Sequence, residues 1–250
     1  MNQQITKESL EEFNKFLKTK VETFEDIFEN SIDAKKISYQ TSELGTDWTY
    51  AMMHLVAQRV LLEIRQNFEG SKLLDVASQF SFISFAASFY EVVYIEARNT
   101  STQISCENVC KLTGVSCEAQ NMPFDNESFD VITSLHAIEH FGLGRYGDTL
   151  DYHGDQKGLI EFGRVLKNGG HMVLGVPAAV KSKIEYNSQR VYKPEDFDKL
   201  VESKGLKKVN GFVVYPPGSR RDGLTVGRTE SLNEWPQHYT PPVYLSVFKK

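Results

Sequence analysis

Apolar residues recur at helical spacing through the first quarter of the chain and in short strand-like runs after it. Phe13, Leu17, Val21, Phe24 and Phe28 step by four, four, three and four residues behind a Ser9/Glu12 capping box. That pattern predicts an amphipathic helix with one narrow apolar stripe, suited to docking on its own domain. Residues 30–45 read as a connection. Asp47 then caps a second helix, which carries Trp48, Met52, Leu55, Val56, Val60, Ile64 and Phe68, stops at Gly70 and is expected to pack on a sheet. Tyr39, Trp48 and Tyr50 reach toward a ligand from this side or pack in the core or at its rim.

Short apolar runs follow at Lys72–Ala77, Glu91–Glu96, Val115–Cys117, Asp130–Thr133, His171–Val176, Leu206–Tyr215 and Val243–Phe248, each reading as a strand. Helical segments separate several of them. One spans Phe80–Phe89. Another runs from an N-cap at Asp155 through Leu159, Phe162, Val165 and Leu166 to a basic last turn and a Gly169-Gly170 stop, and a third fills Pro194–Lys204 before Gly205. Strand-helix-strand alternation predicts an α/β fold on a parallel sheet, with ligands at the carboxyl ends of the strands. Residues 1–69 read as an N-terminal helical extension or lid, and residues 70–250 as one domain.

Candidate chemistry concentrates in two places. The loop Leu135–Gly154 holds His136, His140, His153, Glu139, Asp148, Asp151, Arg145 and three glycines between 142 and 147. A loop so long, and so rich in aromatic and charged residues, reads as functional. His136-Ala-Ile-Glu139-His140 spells H-x-x-E-H, so a metal-dependent hydrolase is one reading, and His140, Asp148, Asp151, His153 and Asp155 suit several divalent ions. The second place is the turn Asp75-Val-Ala77-Ser78-Gln79, which has no glycine; none occurs between Gly70 and Gly114. That excludes the G-x-G-x-x-G of a nicotinamide site, although Ala77 and Ser78 are small enough to trace a similar turn. Glu96, 21 residues after Asp75, ends the second strand, where an acid accepts from vicinal ribose hydroxyls or simply meets solvent.

NMPFDNESFDVITSLHAIEH (Asn121–His140), RVLKNGG (Arg164–Gly170) and MVLGVP (Met172–Pro177) resemble the fourth strand, fourth helix and fifth strand of class I S-adenosylmethionine-dependent methyltransferases. EHFGLGRYGD (Glu139–Asp148), with LGVP and QRVY (Gln189–Tyr192), is similar to an uncharacterised branch of that superfamily, known mainly as a domain of unknown function. The broad resemblance covers roughly residues 70–215. It implies a Rossmann-like, doubly wound, seven-stranded sheet whose last strand enters antiparallel beside the sixth. It also implies S-adenosylmethionine as cofactor, with no metal assigned, and a Phe13–Phe28 helix that covers the substrate pocket or meets a second copy in a homodimer. Asp75, Ala77 and Ser78 would form the first cofactor turn, Glu96 would take the ribose, Glu118 the adenine amine and Ala119 the adenine ring. Glu118 also reads as part of a polar turn. Ser134 and His136 would face the methyl end. The resemblance implies O-methylation of a small polar acceptor, such as a sugar or nucleotide-linked sugar in surface polysaccharide assembly. His140 would be the base, His136 the second candidate, and Arg145 the orienting cation fixed by Asp148; alternatively, Arg145 and Asp148 pair only to close the loop. Asn187, Arg190 and Tyr192 would form a further substrate-side cluster. A related protein that binds without transferring is the other reading, since the first turn departs from the family pattern.

Composition narrows the partners. A net charge of -5 argues against nucleic acid, which demands clustered Lys and Arg. No apolar run reaches membrane length, and MNQQITKESLEE lacks the features of a signal peptide, so a cytoplasmic location is expected. Cys106, Cys110 and Cys117, an odd number, read as structural thiols in a reducing compartment. Pro216–Pro242, with Arg220, Arg221, Arg228 and Trp235, has no clear period and reads as a long loop over the pocket.

Overall fold

The computed structural model describes residues 48–97, 112–144, 146, 148, 150–185, 188–215, 226–227 and 241–250. Expectations for the helix at Phe13–Phe28 and for Tyr39, Asp47, Cys106, Cys110, Arg145, Asn187, Arg220, Arg221, Arg228 and Trp235 lie outside the described residues.

Helix α1 (Trp48–Asn67) leads into β1 (Lys72–Val76), α2 (Phe80–Ala86), β2 (Glu91–Glu96) and β3 (Leu112–Ser116). Next come β4 (Phe129–Leu135), a 3-10 turn (Ile138–His140), α3 (Gly154–Val165) and β5 (Leu166–Pro177). A hairpin of β6 (Lys183–Glu185) and β7 (Gln189–Val191) precedes α4 (Pro194–Glu202), β8 (Lys207–Val214), β9 (Val226–Gly227) and β10 (Val243–Lys249).

The main sheet runs β3-β2-β1-β4-β5-β10-β8-β9. Strands β1 to β5 pair in parallel, and β10 lies antiparallel between β5 and β8. This is the expected doubly wound order, with the short β9 added at the edge as an eighth strand. The direction of winding reverses between β1 and β4, which opens a crevice at their carboxyl ends.

Both faces of the sheet are covered, as a parallel sheet requires. Met53, Ala57, Val60, Leu61 and Ile64 of α1 share one core with Phe82 and Ile83 of α2 and with Leu73, Val131, Val173 and Leu245 of the sheet. The boundary expected at residue 69 therefore falls between two elements of one core. The buried face of α1 is turned by about one position from the predicted stripe, leaving Leu55 57% exposed. On the opposite face, Leu159, Phe162 and Val165 of α3 and Phe197 and Val201 of α4 cover Leu74, Ile132, Met172 and Leu174.

Polar residues of the resembling motif prove to be structural ties. Asp130 accepts from the Ser71 and Lys72 amides (3.1 and 2.9 Å) and from Lys167 Nζ (2.8 Å), joining the starts of β1, β4 and β5. Burial alone would raise the Asp130 carboxyl, but Lys167 and the two amides bring it below its ordinary range. Arg164 pairs with Glu161 and donates to the Met122 and Phe124 carbonyls (3.0 and 2.7 Å), which holds the 122–126 segment against α3. Asp155 is not the N-cap of α3; His153 occupies that position, and Asp155 sits buried in the first turn. No helix among the described residues is long and apolar enough to cross a membrane.

Candidate functional site

A cleft of about 190 Å³ opens at the switch point. Val76 and Ala77 at the end of β1, Ile95 to Ala97 at the end of β2, Cys117 to Gln120 after β3, and His136, Ala137, His140, Phe141, Tyr146 and Asp148 after β4 line it. Its position follows from topology: four successive parallel strands deliver their ends to one side of the sheet.

The floor is the turn after β1. Ala77 adopts φ 56°, the left-handed conformation usually left to glycine, and its amide donates to the Ile95 carbonyl (3.0 Å). The turn is held from beneath. Asp75 accepts from the Ser78 amide (3.0 Å) and the Thr133 hydroxyl (2.6 Å), and Ser78 Oγ accepts from the Leu135 amide (3.1 Å). Burial pushes the Asp75 carboxyl up to about 6 even though Thr133 and Ser78 oppose the shift. Asp75, Ser78 and Ser134 were expected on the wall of a cofactor site. All three are buried under the cleft, where they splice β1 to β4, and Ser134 Oγ faces the Val76 carbonyl at 3.4 Å. Of that turn, Val76 and Ala77 line the opening.

Glu96, at the end of β2, is nearly buried yet lines the cleft, and Tyr94 Oη donates to its Oε2 (2.9 Å). Glu118 and Ala119 stand opposite, one exposed and one buried. Burial pushes the neighbouring Cys117 thiol up to about 11, so it stays protonated near neutrality. Among the described residues the lining carries the carboxylates Glu96, Glu118 and Asp148 and no Lys or Arg. Such a lining suits hydroxyls, amines and a cationic centre better than a phosphate.

The methyl end of the expected cofactor site is the turn after β4. His136, also left-handed at φ 60°, places Nδ1 2.7 Å from Glu139 Oε1. Glu139 is fully buried. Burial would raise its carboxyl, yet the pull of His136 and His140 and the His136 hydrogen bond leave it below the ordinary range. An ionised carboxylate only accepts, so the proton of this pair resides on His136 Nδ1. His140 Nδ1 lies 2.7 Å from the Ser188 carbonyl and must donate to it, while its Nε2 faces Glu139 Oε1 at 3.7 Å. His136 Nε2 is buried and has no hydrogen-bond partner among the described residues. Tyr50 of α1 lays its ring over His136 with centroids 4.6 Å apart. His54 lies behind Tyr50, and burial, with His136 adding to it, pushes its imidazole down to about 4. Sequence reasoning passed over His54. Its spacing of four from Tyr50 on one helix was the available signal.

The loop beyond is a folded cap. Asp148 accepts from the Gly142, Gly144 and Tyr146 amides (2.8, 3.3 and 3.2 Å), so its carboxylate is an organising centre of the glycine-rich segment. Gly142 needs its lack of a side chain, with φ 74° and the Asp151 carbonyl where a Cβ would stand. Arg190 and Tyr192 do not face the cleft. Both are fully buried: Arg190 donates to the Phe141, Asp151 and Tyr152 carbonyls (2.5, 3.4 and 2.8 Å), and Tyr192 donates to Asp155 (2.8 Å). They lock the cap to the β6–β7 hairpin. No group of three or more His, Cys, Asp or Glu arranged to hold a metal ion occurs among the described residues.

A family model described as a Caenorhabditis protein of unknown function, DUF268, matches residues 85–204. No curated protein matches the chain. Solved structures do. A 1,6-didemethyltoxoflavin-N1-methyltransferase from Burkholderia thailandensis, with bound 1,6-didemethyltoxoflavin and S-adenosylhomocysteine, aligns at TM-score 0.58 and 10% identity over 100% of this chain and 93% of its own. The N-methyltransferase NodS from Bradyrhizobium japonicum aligns at 0.55 and 13% over 82% and 97%, respectively. The [4+2]-cyclase SpnF aligns at 0.54 and 12% over 78% and 82%. The shared property is the methyltransferase fold, which serves more than one reaction.

Proposed function

We propose that this chain binds S-adenosylmethionine in the switch-point cleft and transfers its methyl group to an oxygen of a small polar, sugar-like acceptor. The observation that carries this reading is the convergence of Ala77, Glu96, Glu118 and His136 on one cleft, with the glycine-type turn kept in the absence of glycine. The lining fits the cofactor. Glu96 is placed to accept from a ribose diol, Glu118 from an adenine amine, and the surplus of carboxylates favours a sulfonium. When bound, the cofactor supplies an electrophilic methyl group, and the carbon-sulfur electron pair leaves with sulfur.

The protein's own task is to orient the acceptor and remove its proton. His136 fits the base role better than His140, because its Nε2 has no hydrogen-bond partner among the described residues whereas both nitrogens of His140 face protein groups. Asp148 holds the cap in shape, with Tyr146 at the rim. Arg145 belongs to the same segment and is assigned to the acceptor side. A sugar acceptor rests on the resemblance of the EHFGLGRYGD string, and the medium expected is the cytoplasm.

Screening candidate sugars with the cofactor and reading product mass tests the proposal. His136→Ala is expected to lower turnover by about 10²- to 10⁴-fold with cofactor affinity retained, and His140→Ala by less. The reverse order would return the base to His140. Cofactor binding with no methylated product from any acceptor would favour the binding-protein reading instead.

A further inference from the structure

We infer that Glu139 is a positioning residue for the base: its buried carboxylate fixes His136 as the Nδ1–H tautomer, turns Nε2 into the proton acceptor, and holds the imidazolium that forms. This inference rests on the proposed methyl transfer for its chemistry, and on geometry alone for the tautomer.

Three observations converge on the pair. Glu139 has no exposure and lies 2.7 Å from His136 Nδ1. The His136 side chain is itself only 9% exposed, lines the cleft, and leaves its buried Nε2 without a hydrogen-bond partner among the described residues. A buried imidazole nitrogen with nothing to bond costs stability, so its retention beside a cleft marks a place where a ligand group completes it. The strained φ of 60° at His136 points the same way, since such strain persists where surrounding structure imposes it.

Tyr50 and His54 approach His136 from α1, His140 approaches Glu139 from the same turn, and Tyr192 senses Glu139 from beyond β7. His140, through its bond to the Ser188 carbonyl, anchors the turn rather than competing for the acceptor. The proton balance is then simple. As the acceptor oxygen takes the methyl group, its O–H bond breaks, the electron pair stays on oxygen, and the proton moves to His136 Nε2. Glu139 remains an anion beside the resulting imidazolium, and the proton is later lost to water.

Two readouts separate this inference from the proposed reaction. Nitrogen-15 NMR of histidine-labelled protein, with no cofactor or acceptor, is expected to show His136 as Nδ1–H in the wild type and as a mixture in Glu139→Gln. In turnover, Glu139→Gln is expected to lose about 10²-fold or more in kcat, with S-adenosylhomocysteine affinity within about twofold and the acidic limb of the pH profile moved toward acid. His136 found as Nε2–H in the wild type overturns the inference even if Glu139→Gln cannot be folded. An unchanged tautomer, or an unmoved pH limb in the variant, overturns it as well. A correct tautomer in a protein that transfers no methyl group leaves the positioning intact and defeats only the reaction.

Discussion

At the scale of single residues, Ala77 shows how a ligand turn survives without its usual glycine. A left-handed alanine costs about 1 kcal/mol, and the Asp75, Ser78 and Thr133 network beneath it holds the turn in place. Ala77→Gly is therefore expected to leave stability unchanged or raise it, while Ala77→Val, β-branched in the same conformation, should cost about 1 to 3 kcal/mol. Urea denaturation of both variants checks this; equal effects would mean the conformation carries no strain. Asp75 adds a pH signature. Its folded carboxyl stands near 6 against an ordinary 3.8, so between those values the folded state holds a proton that the unfolded chain has released. Stability is thus expected to fall as pH rises through that window, and Asp75→Asn should flatten the slope. Denaturation midpoints at about pH 4 and about pH 6.5 measure it, and an equal slope in the variant would contradict the assignment.

At the scale of elements, periodicity marked most strands and helices of the described core because apolar period is a local property. The boundaries that moved did so for tertiary reasons. Lys167 to Gly170 reads as a stop, yet β5 begins at Leu166 and passes through it, because the sheet absorbs the glycines in an irregular stretch of pairing with Phe129 and the terminal Lys250. The β6–β7 hairpin leaves no mark in the apolar pattern, because strands of three residues each are too short to announce themselves. Arg190 misled most. The resemblance put it on the substrate side with Asn187 and Tyr192, and its partners, the carbonyls of Phe141, Asp151 and Tyr152, come together only in the fold. Arg190→Met should therefore act on the cap: about 3 to 5 kcal/mol of lost stability, since Asp155 and three carbonyls lose their partner, with faster amide exchange across 141–152. Loss of activity with normal stability and exchange would restore Arg190 to the substrate side.

At the scale of the molecule, the order β3-β2-β1-β4-β5-β10-β8 accounts for where the chemistry sits. Glu96, Glu118 and His136 are far apart in sequence and share a cleft only because their strands end on the same side. Sequence reading placed them there through resemblance and chemistry, and it misplaced Asp75, Ser78 and Ser134 because strand ends do not show which side chains turn under the floor. Titration calorimetry with S-adenosylhomocysteine tests the cofactor assignment most directly. The wild-type protein is expected to bind at one site, and Glu96→Ala to bind more weakly by about 1.5 to 3 kcal/mol, roughly tenfold to over a hundredfold. No heat from the folded wild-type protein, or the same affinity in the variant, would contradict it.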